Sequence, residues 1–347
     1  MDFNIGNVEI SQQKVTIIAE AGVNHNGSIH EAKELALEAK KAGADIVKFQ
    51  TYKSSKLSSP KAEKFWNKNS DTTVYQSETY SGLDNFDKHD YLEVKNYCDS
   101  IDIEFMSTPF DLESVEMLAD IGVRGFKIAS CDITNNQLIR KIAETELPIL
   151  LSTGASDINE ICNAVELISS YHEKFSLLHC ILSYPTLDKD ANIKSIPFLA
   201  KHFPGVVLGY SDHTREIYSA FGAVALGARV IEKHFTLQRN MTKPGDHWFA
   251  IDPDDLKELA HGSRVIIDSL GIEHRNVLDC ELIARKQARR SIHMARKVDA
   301  GAKAVIDDFI MLRPGTGLSA KMLDVIVGKT YKRDLDTFDI LDLENLS

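Results

Sequence analysis

Two lysines, Lys48 and Lys127, interrupt runs that are otherwise apolar, DIVKFQ (45–50) and GFKIAS (125–130). An ammonium rarely occupies such a setting without an anionic partner. Either a buried carboxylate pairs with each lysine, or the two receive an anionic ligand. Hydroxyls close similar short runs at Thr108, Ser130, Ser152 and Ser211. Ammonium point charges and hydroxyl donors together suit a phosphate and a carboxylate. Glu20 ends the run VTIIAE, where a carboxylate with a tuned pKa can act as a general base. It can also pair with Lys48, and the two roles are compatible. His213 and His234 follow two further runs. Imidazoles at neighbouring strand ends can share one ion such as Mn, Fe, Co or Zn; the alternative is a pair of hydrogen-bonded structural histidines. Asp246 is a candidate oxygen donor, and the lack of a third histidine argues against a closed zinc site. Glu232 lies two residues before His234, on the same side of a strand, and can orient a substrate or back a metal ligand. Cys131 has no evident base beside it and reads as a packed thiol. His25 belongs to a tight turn, Asn24–Gly27, and the charges of Lys33–Lys41 read as a solvated helix face.

These residues need a scaffold that brings strand ends together. Eight short β-rich runs precede residue 235: Val15–Glu20, Asp45–Gln50, Ile103–Thr108, Gly125–Ser130, Pro148–Thr153, Phe175–Cys180, Val206–Ser211 and Arg229–His234. Helical patterns separate them. His30–Ala42 ends at Gly43, Leu112–Ile121 ends at Gly122, Asp157–Ser170 opens on Ser156 or Asp157 as N-cap, and Ser219–Leu226 ends at Gly227. Alternating strands and helices predict a parallel sheet. Eight units in roughly 230 residues predict an α/β fold of the (β/α)₈ TIM-barrel type, whose catalytic groups lie at the C-terminal strand ends. An open doubly wound sheet is the structural alternative. Residues 51–88 form a long polar and aromatic insertion after the second strand, expected to cover a substrate. A helix near Asp254–Leu270 follows the eighth strand. From about residue 285 the pattern changes to short strands and turns. The expected organisation is a barrel domain over 1–265, a linker over 266–284 and a small β-rich domain over 285–347.

The chain has 347 residues and a formal net charge of −11, which speaks against general nucleic-acid binding. Its five cysteines are scattered and never form a C-x-x-C pair, so neither a disulfide framework nor a zinc knuckle is expected. With no apolar signal core at the N-terminus and no apolar run of membrane-spanning length, the expectation is a reduced, cytoplasmic enzyme without a membrane partner.

Eight ordered motifs resemble those of the sialic acid synthases: IIAEAGVNHNG (17–27), AGADIVKFQ (42–50), FMSTPFD (105–111), KIAS (127–130), LSTGAS (151–156), GYSDHT (209–214), EKHFTL (232–237) and RPGTG (313–317). The resemblance covers nearly the whole chain, and the tail from about Ala288 is similar to the antifreeze-like (SAF) domain these enzymes carry. It implies condensation of phosphoenolpyruvate with an amino-sugar aldehyde to give a nine-carbon nonulosonic acid and phosphate. By the same resemblance, Lys48, Thr108, Lys127, Ser130, Ser152 and Ser211 hold phosphoenolpyruvate. His213 and His234 bind a divalent metal, commonly Mn, with Mg and Co as alternatives. Glu20 manages proton transfer for the attacking water. Gln50, Asn69, Asp132, Tyr184, Glu232 and Asp246 contact the sugar, and Arg313 reaches the partner's site in a domain-swapped homodimer. Departures from the family pattern fall near the sugar. Asp132 stands where glutamate is usual, Leu182 replaces a small polar residue, and the Phe65–Asn85 segment differs. The N-acetylneuraminate, legionaminate and pseudaminate types all remain open.

Three other functions compete. A metal-dependent pyruvate aldolase or lyase would have no phosphate to occupy the lysines and hydroxyls. A Schiff-base aldolase would use Lys127 as nucleophile. A non-enzymatic reading makes the C-terminal module an ice or glycan binder on an inert barrel, which the full polar set at the strand ends opposes.

Overall fold

The computed structural model describes residues 2–66, 73–241 and 244–347. A hairpin comes first, β1 (Phe3–Ile5) paired antiparallel with β2 (Val8–Ile10). Eight parallel strands then close into a barrel: β3 (Thr16–Gly22), β4 (Ile46–Thr51), β5 (Glu104–Pro109), β6 (Phe126–Ile128), β7 (Ile149–Ser152), β8 (Phe175–Cys180), β9 (Val207–Asp212) and β10 (Val230–His234). β10 pairs with β3 to complete the circuit. The closed barrel excludes the open-sheet alternative, and each expected run lies on its strand.

Alternation along the strands sends one set of side chains out to the helices and the other inward. Ile17, Val47, Phe105, Leu151, Leu177 and Ile231 join the large core beneath the helical ring. Ile18, Ile46, Met106, Leu150, Leu178, Val207 and Val230 fill the barrel interior, where Phe3, Ile5 and Ile10 of the hairpin pack onto them. The hairpin therefore stoppers the N-terminal end of the barrel. The sequence reading did not anticipate it, because three-residue strands carry too little period to register.

Local chemistry sets the helix ends. Ser28 accepts the Glu31 N–H to cap Ile29–Ala42, which stops at Gly43 in the left-handed conformation at φ 92°. This helix buries Ala32, Leu35, Ala36, Ala39 and Ala42 at helical spacing. Asp157 caps Ile158–Ser169 through the Asn159 and Glu160 N–H groups. Asp252 and Pro253 open the Pro253–Leu270 helix. Within the insertion, short helices at Ser54–Leu57 and Gln76–Ser81 and a Glu63–Tyr75 bridge give local order.

Packing divides the chain into two compact units, 1–271 and 272–347. In the second unit β11 (Ser291–Met294) pairs antiparallel with β12 (Phe309–Leu312). Ile292, Met294, Ile326, Tyr331, Leu335 and Leu341 belong to its small core. Asp308 is buried there, accepting hydrogen bonds from Tyr331 and Arg296. Among the described residues no helix is long and apolar enough to cross a membrane.

Candidate active site

A cavity of about 470 Å³ opens at the C-terminal ends of the barrel strands. Of the residues chosen from the sequence, Glu20, Lys48, Gln50, Thr108, Lys127, Ser130, Ser152, Tyr184, Ser211, His213, Glu232, His234 and Asp246 all line it. Several are products of alternation: Glu20, Lys48, Thr108, Ser152 and Glu232 are polar where the inward positions two residues below them, Ile18, Ile46, Met106, Leu150 and Val230, are apolar.

The innermost group is a chain of charges. Lys48 Nζ stands 2.6 Å from Glu20 Oε2 and 3.7 Å from Glu232 Oε2. Lys127 Nζ stands 3.3 Å from Glu232 Oε1. Both lysines thus have buried carboxylate partners and also face the cavity. Burial works against the charge on Lys48, but Glu20 and Glu232 outweigh it and hold the ammonium above its ordinary pKa. Burial likewise works against the Glu232 carboxylate, yet Lys127, Lys48 and the Ser211 hydroxyl hold its pKa well down. Two ammonium groups and two carboxylates leave this layer electrically balanced, so a multiply charged anion needs further positive charge nearby.

Hydroxyls surround the charges. Lys48 donates to Thr108 Oγ1 at 2.9 Å, and Ser211 donates to Glu232 Oε1 at 2.9 Å. Ser130 Oγ accepts the Gly154 N–H at 2.9 Å. The Ser152 hydroxyl is buried with no partner among the described residues. A buried hydroxyl left unsatisfied on a cavity wall points to a ligand.

Glu20 owes its position to an irregularity. The β3–β4 register shifts between Glu20 and Gly22, and such bulges re-aim side chains. Gly22 has φ +53°, and a Cβ there would come within 3.3 Å of Glu20 Oε1 and 3.4 Å of Gln50 Nε2. Gln50 donates to Glu20 Oε1 at 3.0 Å, holding the carboxylate between an amide and Lys48.

Above this layer lie the two histidines, their ring centroids 5.4 Å apart. His213 Nδ1 is 2.8 Å from the Ile181 carbonyl, which can only accept, so Nδ1 carries the proton and Nε2 keeps a lone pair. His234 Nδ1 lies 3.2 Å from Asp246 Oδ2. Metal–nitrogen bonds of about 2.1 Å put two imidazole centroids on one ion roughly 5 Å apart. The pair therefore fits a shared metal. Among the described residues no three His, Cys, Asp or Glu side chains complete a metal site, so remaining positions would fall to water or substrate, as in an open catalytic site. Asp246 is set by Asn24, whose Oδ1 accepts the Asp246 N–H at 2.7 Å and whose amide donates to the Phe235 carbonyl. The turn at Asn24–Gly27 thus positions a cavity-lining residue, while His25 does not line the cavity and packs against Phe86, their ring centroids 4.0 Å apart.

The sequence reading missed several walls. Cys180 ends β8 with its sulfur 3.8 Å from His213 Nδ1, in a strand-end position that alternation marked but a search for hydroxyls overlooked. Trp66, Tyr80, Trp248 and Phe249 also line the cavity. Aromatic residues in an aperiodic insertion give no signal of which way they face. Tyr184 lies over the histidines, its ring 4.4 Å from His213 and 5.6 Å from Phe249. Asp132 is not among the lining residues; the 3₁₀ turn Ser130–Asp132 presents Cys131 instead, and Asn135 donates to the Asp132 carboxylate. Asn69 lies outside the described residues. Arg313 follows β12 in the second unit.

The NeuB family profile matches residues 35–275. The chain is 38% identical over 337 residues to an N,N'-diacetyllegionaminic acid synthase of Legionella pneumophila, covering 95% of this chain and 94% of that protein. It is 37% identical over 331 residues to the enzyme of the same name from Campylobacter jejuni, covering 93% and 98%. Among solved structures, an N-acetylneuraminic acid synthetase from Leptospira borgpetersenii, in complex with citrate, superposes with a TM-score of 0.74 at 33% identity, covering 82% of this chain and 95% of that one.

Proposed function

Because the chain belongs to the NeuB family, we propose that its cavity condenses phosphoenolpyruvate with the aldehyde of an N-acylated amino sugar, yielding a nonulosonic acid and phosphate. The observation that carries this is the buried pair Lys48 and Lys127 facing a cavity whose Ser152 hydroxyl has no partner among the described residues. Ammonium groups and hydroxyls converging there suit a small molecule that bears both phosphate and carboxylate. Thr108, Ser130 and Ser211 complete the cradle.

In the reaction, C3 of the enol phosphate attacks the aldehyde carbon, and the aldehyde oxygen takes a proton. Water adds at C2 and loses a proton, for which Glu20 is the acceptor, placed by Gln50 and Lys48. Collapse at C2 breaks its bond to the bridging oxygen and releases phosphate. His213 and His234 would hold a divalent cation, Mn²⁺ being the first to test. When bound, that ion would supply Lewis-acid polarisation of the aldehyde and the extra positive charge the inner layer lacks. Tyr184, Glu232, Asp246 and Gln50 border the space left for the sugar.

Lys48 and Lys127 are the only lysine or arginine side chains among the described lining residues. The outer wall instead presents Leu57, Phe65, Trp66, Leu83 and Leu182. Methyl and acyl groups suit such a wall, which supports an unphosphorylated N-acylamino sugar as the acceptor. Residues 285–347 act as the antifreeze-like domain of a domain-swapped homodimer, and Arg313 serves the partner's sugar.

The test is phosphate release from phosphoenolpyruvate with Mn²⁺ and a panel of N-acetylmannosamine, its 6-phosphate and 2,4-diacetamido-2,4,6-trideoxyhexoses. Release should require an unphosphorylated acceptor and should carry ¹⁸O from the C2–O bridge into phosphate. Label retained in the sugar acid would refute C–O cleavage. Failure to bind phosphoenolpyruvate would refute the whole reading.

A further inference from the structure

A second charged pair lies just outside the cavity. Lys233 and Asp212 have side chains 1% and 0% exposed, with Nζ 2.8 Å from Oδ2. They are register partners across β9 and β10. Alternation turns Lys233 to the helix-facing side with Ile231, away from Glu232 and His234. Neither residue lines the cavity.

Such a pair adds little net stability, because desolvation of the charges offsets their attraction, and apolar residues of similar volume often do as well. What the pair does add is a fixed geometry. Lys233 is the neighbour of His234, and Asp212 is the neighbour of His213. The same ammonium donates to the Thr214 carbonyl at 2.6 Å, on the far side of His213. Asp212 Oδ1 accepts the Thr214 N–H at 2.8 Å, closing a tight turn around His213. The Thr214 hydroxyl lies 2.7 Å from that of Ser219, which donates to Asp212 Oδ2 at 3.3 Å. On the opposite side, the Ile181 carbonyl accepts a hydrogen bond from His213 Nδ1 and the Thr186 N–H donates to the His213 carbonyl. One buried ammonium thus joins the backbone beside both histidines, where a shift of either strand end would change the 5.4 Å spacing of their rings.

We propose that Lys233 and Asp212 are positioning residues that set the separation of His213 and His234 for a shared divalent cation. This rests on the metal role given above to the two histidines. Groups that hold metal ligands in place typically contribute 10- to 100-fold to metal affinity.

The experiment measures Mn²⁺ binding to the full-length protein by electron paramagnetic resonance, alongside thermal unfolding, without turnover. The paired variant Lys233→Met/Asp212→Asn removes both charges and keeps an acceptor for the Thr214 N–H. It should melt close to the parent yet bind Mn²⁺ at least about 10-fold more weakly, with an altered resonance line shape. Thr214→Val, a nearly isosteric change that loosens the same turn, should also weaken binding and decides the matter if the paired variant does not fold. Parent-like Mn²⁺ affinity and line shape in the folded variants would overturn the positioning role while leaving the metal reading intact. An absence of Mn²⁺ binding by the parent itself, with His213→Ala as the blank, would overturn both.

Discussion

Replacing Lys127 with methionine removes one of two ammonium groups that face Glu232, the other being Lys48 at 3.7 Å. Breaking a buried ion pair by deleting one partner costs about 3–5 kcal/mol. Lys48 and the Ser211 hydroxyl remain, so the lower end, about 3 kcal/mol, applies to the unliganded protein. For a unit of this size that is a fall in Tm of roughly 6–12 °C. Glu232→Gln on top of Lys127→Met neutralises the stranded carboxylate while keeping an acceptor for Ser211. The double variant should therefore regain most of the lost Tm. Phosphoenolpyruvate affinity should behave differently. A charge-assisted hydrogen bond contributes about 1.5–3 kcal/mol, so calorimetry should show binding about 10- to 150-fold weaker in Lys127→Met. The double variant should recover no more than a small part of it, because the lost ammonium is not replaced. Parent-like phosphoenolpyruvate affinity in Lys127→Met would refute the anion cradle. A double variant as unstable as the single one would refute the claim that Glu232 depends on the lysines for its charge.

His25 offers a pH test remote from the chemistry. Burial, partly opposed by Glu31, lowers its pKa from 6.5 to about 4, and its Nδ1 accepts the Gly27 N–H. The unfolded chain therefore binds more protons, and stability falls as the pH drops from about 6.5 towards 4, by about 2 kcal/mol between pH 7.5 and 5. The Tm of His25→Gln should fall less over that interval, and equal slopes would exclude His25 as the source. Removing metal with EDTA should abolish phosphate release and be reversed by Mn²⁺; activity that persists in the chelator would remove the metal from the reaction. Mixing Arg313→Ala with Lys127→Met subunits under exchange should restore about a quarter of parent activity, since half the dimers are mixed and each holds one complete site. No gain on mixing would place Arg313 at its own subunit's site or at none.

The barrel was legible because each strand is a short apolar run and each helix has a physical stop, such as Gly43 or the Asp157 cap. The site was legible for the same reason: once the strand ends are known, inward polar positions select Lys48, Lys127, Ser152 and Glu232 without further information. What escaped lacked periodicity or depended on turns. The β1–β2 strands are three residues each. The insertion's aromatic residues gave no facing. Asp132 was chosen by motif position, but a 3₁₀ turn decides where it points. The Lys233–Asp212 pair was invisible because outward strand positions are expected to be apolar, and only side-chain geometry shows two opposite charges meeting there.

The apolar layer that fills the barrel, with the hairpin packed onto it, makes the site a well with one mouth. Lys48 and Lys127 engage Glu232, two residues or roughly 6–7 Å farther down β10 than His234. A molecule seated on the lysines is therefore covered by whatever occupies the histidine level. If phosphoenolpyruvate seats on the lysines as proposed, it enters before the acceptor, and an early-arriving sugar blocks the way as a dead-end occupant. Order of addition would then follow from the apolar floor of the barrel, onto which Phe3, Ile5 and Ile10 pack from the other end.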